Sequence, residues 1–93
     1  NIILNTDAHQ VLKNGHPVEL TQKEFALLEY LLRSKGKVCR RSRIIEKIWD
    51  IHFDKDTSVI DVFINSLRKK LDTKEKESFI QTVRGVGYRV NDN

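Results

Sequence analysis

Residues 79–90 read FIQTVRGVGYRV, with β-branched and aromatic residues on both sides of an Arg84-Gly85-Val86-Gly87 tip. That pattern predicts a two-stranded ribbon turning at the glycines. Gly85 and Gly87 accept positive φ and remove side-chain bulk at the point, Arg84 supplies a charge there, and the Thr82 hydroxyl can bond a phosphate. Glycine's ordinary preference for turns explains such a tip equally well. An isolated hairpin is marginal in water, so the fold is decided by what the ribbon leans on.

Upstream, a helix is predicted from Thr57 or Ser58 to Leu71, with Ser58 and Asp61 spaced as a capping box. Ile60, Phe63, Ile64, Leu67 and Leu71 share one side at helical spacing and form its core face. Opposite lie Ser58, Val62, Asn65 and Lys69, flanked by Val59 and Ser66 on one edge and by Asp61 and Arg68 on the other. This outward face mixes small polar groups, an amide, a valine and bases, where a purely solvated helix would carry more glutamate and lysine. An earlier helix runs from about Arg41 to Trp49, with Ile44, Ile45, Ile48 and Trp49 on its apolar side. The first helix is strongly marked by a Thr21/Glu24 capping box, a Leu20/Phe25 staple, an apolar stripe of Phe25, Leu28, Leu31 and Leu32, and Gly36 as its C′ residue. Ahead of it, strands are expected near 2–5, 10–13 and 16–19. Asn14-Gly15 marks a type I′ turn, and Pro17 points to an edge.

The order is therefore three strands, three helices and two strands. The expected fold class is α+β, with an N-terminal antiparallel sheet, three helices and a C-terminal hairpin as wing. With 93 residues, positions 1–93 form a single domain. No segment has the apolar length of a membrane span and no signal peptide opens the chain, so a soluble protein is expected. Cys39, the single cysteine, has no partner for a disulfide and no zinc-ligand spacing, and is read as a packing residue. His9, His16 and His52 lack the helical spacing of a metal site, so no metal and no cofactor are expected. The net charge is +4, unevenly spread. Arg33, Lys35, Lys37, Arg40, Arg41, Arg43 and Lys47 face Glu46 alone, and Arg68-Lys69-Lys70 form a second run. Clustered bases suit a polyanion, and equally a solvated helix face. A helix that can enter a major groove beside a thin cationic hairpin favours the polyanion.

The segments LTQKEFALLEYLL, IIEKIWD, SVIDVFINSLRKKL and above all IQTVRGVGYRV resemble the OmpR/PhoB-type DNA-binding domain of bacterial two-component response regulators. The resemblance covers nearly the whole chain. It implies a cytoplasmic winged helix-turn-helix effector domain with a four-stranded N-terminal sheet, tethered behind a receiver domain absent from this chain. It further implies binding to tandem direct repeats of double-stranded DNA as a head-to-tail homodimer. Helix 58–71 would read the major groove and wing 79–90 would contact the backbone or minor groove. Carried over position by position, Ser58, Val59, Val62, Asn65, Ser66, Arg68 and Lys69 would face DNA, with Thr82, Arg84 and Gly85 from the wing. Arg41 is expected on a phosphate. Trp49 matches a position whose indole approaches phosphate, while a core tryptophan is an equally good reading. The loop carrying Asp50, His52, Asp54 and Asp56 corresponds to a segment that touches RNA polymerase in some members, or is simply solvated.

Two departures from the family pattern bear on recognition. Asn65 and Ser66 stand where arginines are frequent, which lowers the expected guanine and phosphate contacts and favours adenine. Arg40 stands where a serine or threonine cap is usual, leaving the second helix start less well satisfied. A protein-interaction module with an acidic partner is the main alternative, disfavoured by the uncharged reading face beside an arginine tip. An enzyme is not expected, because no nucleophile stands near a general base.

Overall fold

The computed structural model describes residues 2–49, 58–72 and 78–90. Strands β1 (Ile2–Asn5), β2 (Gln10–Lys13) and β3 (His16–Val18) form an antiparallel sheet in that order. Asn14 and Gly15 have φ of 51° and 84°, as the type I′ reading requires. β3 lies at the sheet edge, where Pro17 removes no central ladder bond. The sheet has three strands among the described residues, one fewer than the resemblance implies.

Helix α1 (Gln22–Arg33) begins with the complete capping box: Glu24 N–H donates to Thr21 Oγ1 at 3.2 Å and Thr21 N–H donates to Glu24 Oε1 at 2.9 Å. Its buried face holds Phe25, Leu28 and Leu31, and also Leu27, which lies outside the expected stripe. Leu32 is only partly covered. The helix ends on Ser34, so Gly36 falls one position beyond the expected C′ site. It has φ +83°, and its N–H bonds the Val90 carbonyl at 2.9 Å, tying the helix exit to the strand that ends at Val90.

Strand β4 (Cys39–Arg40) then leads directly into helix α2 (Arg41–Ile44), which continues as a π-helical turn over Ile45–Trp49. Arg40 occupies the N-cap without a side-chain bond, in line with the missing serine or threonine. The π geometry was not expected from the apolar spacing. Lys23 of α1 donates to the Ile48 carbonyl at 2.8 Å, satisfying a carbonyl in this wider turn. Helix α3 (Ser58–Leu71) buries Ile60, Ile64, Leu67 and Leu71 and packs Phe63 partly against the same core. Lys13 donates to the Asp72 carbonyl at 3.0 Å, joining the N-terminal sheet to the end of α3.

The final hairpin pairs β5 (Ile80–Val83) with β6 (Gly87–Val90), register Ile80↔Val90 to Val83↔Gly87. It is not a free ribbon: β4 pairs with β6, Cys39↔Tyr88 and Arg40↔Gly87, to give a second three-stranded sheet in the order β4-β6-β5. Gly87 owes its identity to this pairing rather than to a positive φ. A Cβ there would lie 2.0 Å from the Cys39 carbonyl oxygen. One core, from Val11 through Leu27, Leu28, Leu31, Ile44, Ile60, Ile64 and Leu67 to Ile80 and Val90, joins both sheets and the three helices. Helices flanked by a terminal hairpin sharing their core constitute a winged helix, so the ribbon leans on the helical body through β4 and α3.

Candidate nucleic-acid interface

The face of α3 turned away from the core carries exposed Ser58, Val62, Asn65 and Lys69. Val62 is 64% exposed, a large apolar side chain left in water at the middle of a polar stripe. Each edge of this stripe is clasped to the body by a different set of polar bonds, and those bonds decide which side chains remain available.

On one edge, Arg68 reaches the wing. Its Nη2 donates to the Ile80 carbonyl and to Thr82 Oγ1, both at 2.8 Å, and its Nε donates to Ser78 Oγ at 3.1 Å. Two turns earlier on the same edge, Asp61 accepts from the Tyr88 hydroxyl of β6 and from Arg41 Nε at 3.2 Å. The Arg41 and Arg68 guanidinium groups both lie over the Tyr88 ring, 5.0 and 5.7 Å from its centroid. Burial and then the bond to Asp61 push the Tyr88 phenol above its usual pKa. Burial works against the charge on Arg41, but its bonds to Tyr88 and Asp61 prevail and raise its pKa. These contacts set the wing beside the exposed stripe.

On the other edge stands Glu24. Its carboxylate accepts from Thr21 N–H, from the Ser66 hydroxyl and from Lys70 Nζ at 2.7 Å. Burial opposes ionisation of Glu24, yet the bonds from Lys70, Ser66 and Thr21 outweigh it and hold its pKa down at about 2. A capping residue of α1 therefore also fixes the roll of α3. The capping spacing alone gave no sign of this second task, although a carboxylate 4% exposed requires partners beyond its own backbone.

The wing tip turns through residues 83–86, closed by Val86 N–H to the Val83 carbonyl at 3.0 Å. Gly85 has φ +75°, which a side chain disfavours, and no heavy atom stands within 4 Å of where a Cβ would be. Arg84, Gly85 and Val86 are exposed. Arg40, Arg41 and Ser42, at the start of α2, line a shallow groove with Gly85 and Val86.

The expected site residues thus separate by environment. Val62, Asn65, Lys69, Arg84 and Gly85 are exposed on α3 and the wing tip, with Ser58 exposed at the helix start. Val59 packs partly against the core. Ser66, Arg68, Thr82 and Arg41 are engaged in the bonds described. Trp49 is half-buried, edge-on to Phe63 at 5.1 Å between centroids, with the Lys23 ammonium 5.7 Å from its ring. Asp50, His52, Asp54 and Asp56 lie outside the described residues. Cys39 is buried, and burial raises its pKa. Asp61 and Tyr88 join the site through their tertiary partners. The sequence placed Asp61 on the helix edge but gave no signal for Tyr88.

Residues 15–90 match the family described as "Transcriptional regulatory protein, C terminal". The chain is 44% identical over 88 residues to the transcriptional regulatory protein CusR of Escherichia coli (strain K12), which covers 95% of this chain and 39% of that protein. It is 44% identical over 87 residues to the response regulator ArlR of Staphylococcus epidermidis, covering 94% of this chain and 40% of that one. The chain spans about two fifths of the length of these curated relatives. In three dimensions it is similar to the Klebsiella pneumoniae RstA DNA-binding domain in complex with the RstA box. The TM-score is 0.88 at 28% identity, covering 97% of this chain and 90% of that one.

Proposed function

Because the chain belongs to the family of transcriptional regulatory protein C-terminal domains, the OmpR/PhoB type, we propose that it binds duplex DNA sequence-specifically as the effector domain of a response regulator. Helix α3 enters the major groove and the wing rests on the adjoining backbone or minor groove. A helix with its side chains is about 10–12 Å across, matching a major groove roughly 12 Å wide. The observation that carries this reading is the exposed strip of Val62, Asn65 and Lys69, bordered along one edge by an arginine-tipped hairpin and held at both edges by side-chain clasps.

Within that pose, Asn65 pairs with the N6 and N7 edge of adenine and Val62 meets a thymine methyl. Lys69 and Arg84 neutralise phosphates, Gly85 lets the tip backbone come close, and Ser58 and Val59 line the helix start. Arg68 serves chiefly by setting the distance between α3 and the wing, since its guanidinium already bonds Ile80 and Thr82. Ser66 contributes through its bond to Glu24. Arg41 and Trp49 complete the backbone contacts from α2 and its π-helical extension.

The whole of residues 1–93 acts as one effector domain in the cytoplasm, preceded by a receiver domain, and binds tandem direct repeats as a homodimer. The segment with Asp50, His52, Asp54 and Asp56 meets RNA polymerase. No catalytic role is assigned. Selection from random duplex DNA tests the reading: an enriched half-site repeated at a fixed spacing is expected, and its spacing gives the dimer geometry. With about three phosphates neutralised per protomer, by Lys69, Arg84 and Arg41, log K against log salt has a slope near −2.7. No enrichment, or an affinity indifferent to salt, overturns it.

A further inference from the structure

Among the described residues, Arg41 is the one basic residue beside the wing whose charge is matched by a carboxylate on the reading helix itself. Its Nε lies 3.2 Å from Asp61 Oδ1, and its Nη2 lies 3.4 Å from the Tyr88 hydroxyl, which in turn donates to Asp61. The arginine side chain is 28% exposed and the carboxylate 41%, so the pair stands at the protein surface and can be exchanged for a solvent-side anion. Arg41 also lines the groove shared by Arg40, Ser42, Gly85 and Val86, where its neighbours offer a guanidinium, a hydroxyl and, at Gly85, backbone free of side-chain bulk. Asp61 lies one turn from Asn65 on α3, at the margin of the exposed stripe. A negative charge placed there is unfavourable towards any polyanion, and an amide oxygen in its place would still accept from Arg41 and Tyr88.

We infer that Asp61 is a specificity-determining residue that withholds Arg41 from phosphate until α3 is fully seated. Building on the DNA-binding reading above, the device works through distance. In a loosely docked, sequence-independent complex the phosphates remain hydrated and farther from Arg41 than Asp61 is, so the arginine stays with its carboxylate. When α3 fits its own sequence, a phosphate is brought into the Arg40–Ser42–Gly85 groove at contact range. Arg41 then turns to it, while Tyr88 and water keep Asp61 bonded. One counterion-releasing contact is thereby reserved for the correct site, which widens the gap between specific and non-specific binding.

The test uses Asp61→Asn, which keeps the size and the hydrogen-bond acceptor and removes the charge. Binding to a fluorescent random-sequence duplex is measured across a salt series for the wild type, Asp61→Asn, Arg41→Ala, the double variant and Tyr88→Phe. Asp61→Asn is expected to bind random duplex roughly fivefold more tightly, a gain of the size a surface ion pair can hold back. Its salt slope should be steeper by about 0.9, one further phosphate. The gain should vanish in the Arg41→Ala background, and Tyr88→Phe, which leaves Asp61 charged, should show none. A wild-type affinity and slope for Asp61→Asn overturn the inference. So does an equal gain without Arg41, which traces the effect to the general field of the carboxylate, or an equal gain in Tyr88→Phe, which traces it to a loosened wing. A wild-type chain that binds no duplex at any salt concentration refutes the DNA-binding reading instead, so the two failures are told apart.

Discussion

Replacing Glu24 by Gln isolates the clasp that sets the roll of α3. The carboxylate is 4% exposed and accepts from Thr21 N–H, Ser66 and Lys70. Its pKa falls from an ordinary 4.5 to about 2 on folding. Since the folded value is the lower one, the stabilisation is complete above the unfolded pKa and is lost as pH falls through the folded one. A displacement of this size corresponds to about 3 kcal/mol at neutral pH. Glutamine fills the same volume and can still receive Thr21 N–H, but it offers no charge to Lys70 and one oxygen where the carboxylate offers two. The assay is urea unfolding followed by Trp49 fluorescence at pH values from about 7 down to about 2. At neutral pH Glu24→Gln should lose about 3 kcal/mol, seen as a urea midpoint lower by roughly 2 M or more for a domain with a small m-value. The gap to wild type should close through the window between 4.5 and about 2. A neutral-pH loss below about 0.5 kcal/mol, or a gap that stays constant through that window, would refute the reasoning that the Lys70 and Ser66 bonds outweigh burial.

Asn65→Ala should cost about 1–3 kcal/mol at particular base positions only, whereas Arg84→Ala should weaken all duplexes alike and flatten the salt slope by about 0.9; a binding-site selection repeated on both variants separates these outcomes. Gly87→Ala should lower the thermal midpoint substantially, because its Cβ would stand 2.0 Å from the Cys39 carbonyl and the β4–β6 pairing would have to open; unchanged melting would contradict that contact. Arg68→Ala should leave the helix content seen by circular dichroism intact while increasing amide exchange in β5, as the bonds to Ile80 and Thr82 are lost; unaltered exchange there would show that the clasp does not hold the wing. Charge reversal at Asp54 or Asp56 should lower activated transcription in a reconstituted assay without changing DNA affinity, and equal loss of both would reject a separate polymerase contact.

Local signals carried most of the architecture. Asn14-Gly15 stated its own turn because both residues need positive φ, and the Thr21/Glu24 box stated the start of α1 because orphan amides there need acceptors close in sequence. The α3 core face was readable for the same reason: Ile60, Ile64, Leu67 and Leu71 repeat at the helical period. Contacts that join distant parts of the chain were not readable. Two residues, Cys39 and Arg40, are too short a strand to show alternation, so β4 was invisible until β6 was seen beside it. That also hid the reason for Gly87, which concerns a carbonyl far away in sequence rather than its own backbone angles. The same holds for the interface. Helical spacing identified the outward stripe, but the engagement of Ser66, Arg68 and Arg41 depends on Glu24, Thr82 and Tyr88, contributed by α1 and the wing. The π-helical turn after Ile44 likewise reflects tertiary packing, since its apolar spacing reads as an ordinary helix.

The anchoring of the last strand by β4 has a kinetic corollary. Tyr88 and Val90 complete the core, yet their partners lie far back along the chain, with Arg41 and Tyr88 separated by 47 positions. Closing so long a loop carries an entropic cost before any of its contacts is rewarded. The N-terminal meander and α1 can assemble from near neighbours, whereas the finger must await pairing with β4 across most of the domain. The wing is thus expected to order after the helical body, and its loss would take part of the interior, Tyr88 and Val90, with it.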